Sequence, residues 1–300
     1  MAEQFKVLVL GHGEMGQAME YLVKDQAQLV IWERQPKDKT HPVVLQDAAA
    51  QADIILFCLP VNPHRAIAKQ VAPHLKKTCL CLSIAKGLDE TGLTAAQIFA
   101  EVFADNQPYS LLYGPMISEE IRAGRKAFAQ LGCADMDSYH KVSELFNNTS
   151  LYIEHSIDIT GISWSVILKN VYALVFGMAD ELQLGDNMRG YLAVAALREL
   201  DQIACKIGGQ AGSPYHLAGL GDLITTATSE DSHHHELGRR LAREEVKEIK
   251  GEGIHTLEMV RQHKLFNTTD YPLFQLIENI VRQPHNVHKK INDYLEKVYS

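Results

Sequence analysis

The sequence predicts an α/β chain: a doubly wound, mostly parallel sheet over residues 1–157, followed by an all-α domain over 158–300. Three observations carry this expectation. Short apolar runs alternate with helical patterns from Phe5 to about His155, as in strands covered by helices on both faces. Beyond about Asp158 the strand pattern stops and helical periodicity takes over. At 300 residues the chain also exceeds what one compact core usually organises.

The candidate strands are Lys6–Leu10, Leu29–Trp32, Ile54–Leu59, Thr78–Ile84, Ser110–Tyr113 and Phe128–Cys133, each a nearly continuous apolar run. Helical patterns at Gln17–Gln26 and His64–His74 separate the early ones. In the second half, helices are expected at Ser163–Gln183, Met188–Ile207, His234–Arg243, Leu257–His263, Tyr271–Arg282 and His288–Tyr299. Gly208-Gly209 and Gly251-Glu252-Gly253 punctuate them as loops.

Composition narrows the function. Hydrophobic residues at 46% and charged residues at 22% are ordinary for a globular chain and exclude disorder, collagen and coiled-coil rods. Lys plus Arg is 29 against 37 for Asp plus Glu, a formal charge of −8, which argues against binding nucleic acid or an acidic membrane. No uninterrupted apolar run approaches the roughly 18 residues of a membrane span, so no membrane insertion is expected. The opening Met1-Ala2-Glu3-Gln4-Phe5-Lys6 lacks the pattern of a secretory signal, and a cytoplasmic enzyme is the expectation. The five cysteines show no paired zinc spacing, so no metal site is expected and buried reduced thiols are the simplest reading. Cys79 and Cys81, two apart, would share one face of a strand.

The first strand runs into Gly11-His12-Gly13-Glu14-Met15-Gly16, followed by a helical segment, and Glu33 closes the second strand 17 residues after Gly16. Strand, turn, helix and acid fall where a dinucleotide fingerprint requires them, so the first domain reads as Rossmann-type. Gly11 would make the tight turn, Gly13 would let the backbone approach a pyrophosphate, and Gly16 would allow close helix–strand packing. His12, Glu14 and Met15 complete the turn. The amides at the helix start would hold the anion, with which the charge of Glu14 competes. Glu33 suits the ribose hydroxyls of NAD and Arg34 the 2′-phosphate of NADP, so the cofactor is NAD or NADP.

Trp164–Phe176 places Lys169 inside an almost unbroken apolar stretch. A lysine rarely sits buried without a partner or a task. Desolvation would lower its pKa and make it a proton donor and acceptor near neutral pH. The other reading is a lysine that snorkels from the helix edge into water.

Motifs along nearly the whole chain resemble those of the NAD(P)-dependent glycerol-3-phosphate dehydrogenase family. They are the glycine turn, Ala85-Lys86-Gly87-Leu88-Asp89, Gly114-Pro115, Leu168-Lys169-Asn170-Val171, Gly185-Asp186-Asn187-Met188-Arg189, Leu217 through Leu223 with Asp222, and Gly251-Glu252-Gly253. The resemblance implies an oxidoreductase interconverting dihydroxyacetone phosphate and sn-glycerol 3-phosphate with NAD(P)H. Lys169 would be its general acid/base, and Lys86 and Asp222 would surround the substrate oxygens. Gly114, Asn170, Ser232, His233 and His234 would complete the substrate site. Pro60, Lys86, Ser118, His233 and Glu252 would join the glycine turn, Glu33 and Arg34 along the cofactor. The partner is then a phosphorylated small molecule. The apolar helices of the second half offer either a homodimer interface or an internal core.

The sequence departs from the family where phosphates lie. His233 and His234 replace an arginine and an asparagine, Met116 replaces a threonine, and Glu14 and Met15 replace a serine and an aromatic. A neutral imidazole supplies one donor where a guanidinium supplies a fork. Two further readings therefore stand: a dehydrogenase of another small hydroxy compound, since the turn is also similar to that of β-hydroxyacid dehydrogenases, and a non-catalytic dinucleotide sensor. Ser232-His233-His234-His235 reads either as a pH-dependent phosphate clamp or as a solvated loop. Residues one and two apart on a helix do not share a face, so a three-histidine metal site is not expected.

Overall fold

The computed structural model describes residues 4–35, 43–103, 107–229, 232–245 and 249–300. The chain divides into two compact units, Met1–Asp89 with Leu93–Ile159, and Glu90–Gly92 with Thr160–Ser300.

The first unit alternates β1 (Phe5–Leu10), α1 (Glu14–Val23), β2 (Ala27–Trp32), α2 (Leu45–Gln51), β3 (Ile54–Phe57), α3 (His64–Val71), β4 (Leu80–Ser83), α4 (Ala95–Phe103), β5 (Tyr109–Tyr113), α5 (Ser118–Arg122), β6 (Ala127–Gly132), α6 (Met136–Leu145) and β7 (Leu151–Ser156). The sheet order is β2-β1-β3-β4-β5-β6-β7. Every pairing is parallel except that of β5 with β6. The direction of winding reverses at β1, which lies between β2 and β3, and such a switch point opens a crevice at the strands' carboxyl ends.

Period-two alternation places Val7, Val9, Ile54 and Leu56 in one core with Met19 and Leu22 of α1. The intervening Leu8, Leu10, Ile55 and Phe57 face a second core with Ile67 and Val71 of α3 and Phe99 of α4. Both sheet faces are covered, which is why the strands read as unbroken apolar runs. Cys79 and Cys81 both belong to this second core as free thiols, whereas Cys205 is exposed, contrary to the expectation of burial throughout. One further expectation is corrected. A seventh strand, β7, escaped the apolar-run criterion because Leu151–Ser156 is only half buried. Its neighbour β6 runs against β5, so the sheet is mostly parallel, as expected.

Inside the second core, His64 opens α3 with no exposed surface. Its Nδ1 lies 2.9 Å from the carbonyl oxygen of Pro60 and its Nε2 2.8 Å from Ser83 Oγ. The Phe57 and Phe99 rings flank it at 5.2 and 5.6 Å between centroids. Desolvation pushes its pKa down to about 4, against the pull of the Pro60 carbonyl.

The second unit is helical: α7 (Ile159–Glu181), α8 (Gly185–Lys206), a π-helical turn at Leu217–Gly221, α9 (Asp222–Thr228), α10 (His233–Ala242), α11 (Glu252–His263), α12 (Pro272–Arg282) and α13 (Val287–Tyr299). Every residue of α7 from Gly161 to Ala179 is buried. By length and composition α7 is apolar enough to cross a bilayer, which counting uninterrupted runs missed because Lys169 and Asn170 divide it. Most of that stretch, 89%, is buried inside the protein, so its hydrophobicity serves a core. Helix α10 crosses it at backbone contact: a Cβ on Gly238 would stand 2.0 Å from the Leu174 carbonyl oxygen, and one on Gly177 2.0 Å from that of His235. Glu199 of α8 accepts bonds from the Leu273 and Phe274 amides at 2.7 and 2.8 Å, capping α12 from a distance. Tyr172 Oη donates to the same carboxylate at 2.8 Å.

Two stability outcomes follow. Glu199→Ala strips three buried donors of their acceptor and should cost about 2–4 kcal/mol in urea denaturation; a loss below about 0.5 kcal/mol would mean that water replaces the cap. At His64 the unfolded chain takes up a proton that the fold refuses. This contribution is complete above about pH 6.5 and is lost, up to roughly 3 kcal/mol, as pH falls toward about 4. Urea midpoints at about pH 7.5 and 4.5 should fall less in His64→Gln than in wild type, and equal falls would exonerate the imidazole.

Candidate active site

In the first unit the glycine turn leaves β1 at the switch point and enters α1 at Glu14. Gly11 adopts φ +90°, and a Cβ there would lie 2.7 Å from the Cys58 carbonyl oxygen and 2.6 Å from the Leu59 side chain. A Cβ on Gly16 would meet the Gly11 carbonyl oxygen at 2.1 Å, so only glycine lets helix and strand approach this closely. Gly13 differs: a Cβ there would meet nothing within 4 Å. A helix start offers first-turn amides with no partner inside the helix, and the positive end of the helix dipole lies behind them. These three environments fit the pyrophosphate of a dinucleotide.

The remaining turn residues are accounted for locally. Glu14 pairs with Arg122 of α5, which also donates to Gln17 Oε1 at 3.0 Å, so the carboxylate that would oppose a pyrophosphate carries its own counter-charge. His12 Nε2 lies 2.7 Å from Glu20 Oε2. The Met15 side chain packs on the core beneath, leaving its backbone to face the turn. Glu33 and Arg34 directly follow β2, the first half-buried and the second exposed. Pro60 is exposed just beyond β3, and Ser118 is buried at the start of α5 with its hydroxyl donating to Glu119 Oε2 at 2.8 Å.

Lys86 and Gly114 come together: Lys86 Nζ donates to the Gly114 carbonyl oxygen at 3.1 Å. Tyr113 Oη donates to the Ala85 carbonyl at 3.0 Å and ties the same two turns. Met116, two residues on, is buried in the sheet's hydrophobic core.

In the second unit Lys169 is buried at 5% exposure, so the snorkelling reading is set aside. Its Nζ donates to Thr226 Oγ1 at 2.6 Å and lies 3.3 Å from Asp222 Oδ2, both on α9. The Thr226 hydroxyl donates to the Asp222 carbonyl at 2.7 Å, which turns its lone pairs toward the ammonium. Thr226 was not singled out from sequence. The signal was available, because it stands four residues after Asp222 and therefore on the same helix face.

Asn170 Nδ2 donates to Glu252 Oε2 at 3.0 Å. A Cβ on Gly253 would lie 2.4 Å from the Asn170 carbonyl, so the Gly251-Glu252-Gly253 turn lets α11 begin directly against α7. The three histidines of α10 go three ways. His233 Nε2 lies 3.0 Å from the Lys250 carbonyl, which only accepts, so this nitrogen donates. His234 is half-buried. His235 is buried with Nε2 2.7 Å from Asp180 Oδ2, and Arg189 Nε donates to Asp180 Oδ1 at 2.6 Å. Ser232 caps α10, accepting from the His235 amide at 3.4 Å. The first turns of α9 and α11 thus attach to Lys169 and Asn170, and His233 adjoins α11 across Gly251. Two carboxylates, Asp222 and Glu252, accompany one ammonium. An ammonium held by a carboxylate and a hydroxyl in an apolar wall can give a proton to a developing oxyanion and take it back.

Residues 158–292 match the model of the NAD-dependent glycerol-3-phosphate dehydrogenase C-terminus, and residues 40–139 that of the N-terminus. Glycerol-3-phosphate dehydrogenase [NAD(P)+] of Mycobacterium avium is 30% identical over 260 residues, covering 79% of this chain and 76% of the relative. That of Nitratidesulfovibrio vulgaris strain DP4 is 26% identical over 324 residues, covering 97% and 98%. Among solved structures, glycerol-3-phosphate dehydrogenase from Coxiella burnetii superposes with TM-score 0.83 at 20% identity, over 98% of this chain and 99% of that one. A sheet with a reversal beside a glycine turn, a buried Lys169–Asp222 pair and these matches lead to one assignment: the chain belongs to the NAD-dependent glycerol-3-phosphate dehydrogenase family.

Proposed function

We propose that the protein is an NAD(P)-dependent dehydrogenase interconverting dihydroxyacetone phosphate and sn-glycerol 3-phosphate, with Lys169 as general acid/base. The observation that carries this reading is the buried ammonium, held 3.3 Å from Asp222 and 2.6 Å from Thr226. Gly11, Gly13 and Gly16 would hold the dinucleotide's pyrophosphate, with Glu33 and Arg34 at its ribose, and the nicotinamide supplies or accepts the hydride when bound.

The protein's own part is the proton and the charge. Reducing a ketone builds negative charge on its oxygen, and Lys169 stabilises that charge and delivers a proton to it. Asp222 favours the charged lysine against the cost of burial, and Thr226 restricts the ammonium's direction. In the alcohol-oxidising direction the neutral amine takes the hydroxyl proton. Asn170, anchored by Glu252, fixes the neighbouring turn of α7. Lys86 supplies a second point charge for a substrate oxygen.

A second reading keeps this chemistry and changes the substrate to another small hydroxy compound. It is favoured by the engagement of His233 with the Lys250 carbonyl and by the burial of Met116 in the core, at positions where the family carries phosphate-binding groups.

Lys169→Ala should lower kcat for dihydroxyacetone phosphate by roughly 10²-fold or more while NADH still binds. A near-normal kcat would assign the proton to another group. His233→Arg restores a forked donor and should lower the KM of the phosphorylated substrate about tenfold. Turnover of a non-phosphorylated ketone, with none of dihydroxyacetone phosphate, would establish the second reading.

A further inference from the structure

We infer that His64, which has no place in the chemistry above, is a positioning residue that holds the Pro60 turn and the Ala85–Lys86 turn in register. The inference deepens the dehydrogenase reading and rests on it, because it gives those two turns the cofactor and substrate duties assigned there.

The geometry leaves one arrangement of protons. A carbonyl oxygen only accepts, so the bond at 2.9 Å to Pro60 requires Nδ1 of His64 to carry the hydrogen. The neutral ring's Nε2 must then accept, and the Ser83 hydroxyl, 2.8 Å away, donates to it. With its hydrogen committed, Ser83 Oγ accepts from the Ala85 amide at 3.1 Å. The bonds therefore run in one direction, from Ala85 N–H through Ser83 to His64 and on to the Pro60 carbonyl. Such a chain strengthens each of its members in a low-dielectric surrounding.

Its two ends are the informative part. At one end, Pro60 continues the turn whose Cys58 carbonyl and Leu59 side chain bear on Gly11, where the glycine turn adopts φ +90°. At the other, Ala85 precedes Lys86, whose ammonium reaches the Gly114 carbonyl, and Ala85's own carbonyl receives the Tyr113 hydroxyl. One imidazole, locked between Phe57 and Phe99, spans the carboxyl ends of β3 and β4. Apolar packing would fill this space as well without directing either turn.

Side chains that keep one half of the bridge give the test. Asn places an amide donor near the Nδ1 position and Gln an acceptor near the Nε2 position, while Phe keeps the ring contacts and neither bond. NADH affinity is measured by fluorescence titration, and the KM for NADH, the KM for dihydroxyacetone phosphate and kcat by steady-state assay. His64→Phe should raise the NADH Kd and both KM values about tenfold. His64→Asn should restore NADH affinity alone, and His64→Gln the substrate KM alone. Ser83→Ala, a small change in a strand, should raise the substrate KM and leave the NADH Kd within about twofold, and it decides the matter if His64→Phe does not fold. His64→Phe with wild-type circular dichroism, an unchanged NADH Kd and unchanged KM values would overturn the inference. So would parallel losses in Asn, Gln and Phe, because a space-filling role makes no distinction between the two halves. A wild-type protein that binds NADH but does not reduce dihydroxyacetone phosphate would defeat the substrate reading instead, and the NADH titrations would still decide the role of His64.

Discussion

A single charge enclosed by hydrocarbon governs the helical unit. Lys169 lies midway along a helix buried on every side, where an isolated ammonium would cost several kcal/mol. The structure meets that cost with the Asp222 carboxylate and the Thr226 hydroxyl, one helical turn apart on α9. Such a pair adds little to stability, because two aliphatic residues of similar volume would pack as well or better. In the dehydrogenase proposed above, its use would lie in reactivity: a desolvated, partnered amine meets a growing oxyanion without the reorganisation that water would need.

The neighbouring residue extends the same logic. Asn170 follows Lys169 on α7 and is bonded to Glu252 in the first turn of α11, while Gly253 allows the backbones to touch. The order of residues in α7 therefore fixes where two other helices begin. Within the cluster the Lys169 ammonium is matched by the Asp222 carboxylate. His233 points its donor at the Lys250 carbonyl and closes the loop that leads to Gly251.

Much of this was legible in the sequence, for identifiable reasons. The doubly covered sheet announces itself because strands buried on both faces lose their polar alternation, and the glycine turn because backbone approach at Gly11 and Gly16 admits no other residue. The Lys169–Asp222 pair was read through resemblance, since nothing local ties residues so far apart in the chain. The half-exposed β7 lacks the apolar run that marked the other strands, and the reversal of β6 depends on sheet pairing that composition does not encode. Thr226 and His64 were passed over because a threonine in a helix and a histidine after a proline look ordinary until their partners are seen. Read alone, Glu14 is a charge that competes for phosphate binding, and Arg122, more than a hundred residues along the chain, supplies its counter-ion.

The glycine crossing of α7 and α10 has a kinetic consequence. Where Gly177 and Gly238 meet the opposite helix, main chain rests on main chain with no side chain between them. Side-chain contacts can be renegotiated by rotamer changes in nanoseconds, but a backbone seam has no such freedom. Such a seam ties the two helices together more tightly than side-chain packing alone would. Lys169, two turns from that seam, sits on the helix that residues without side chains tie to α10.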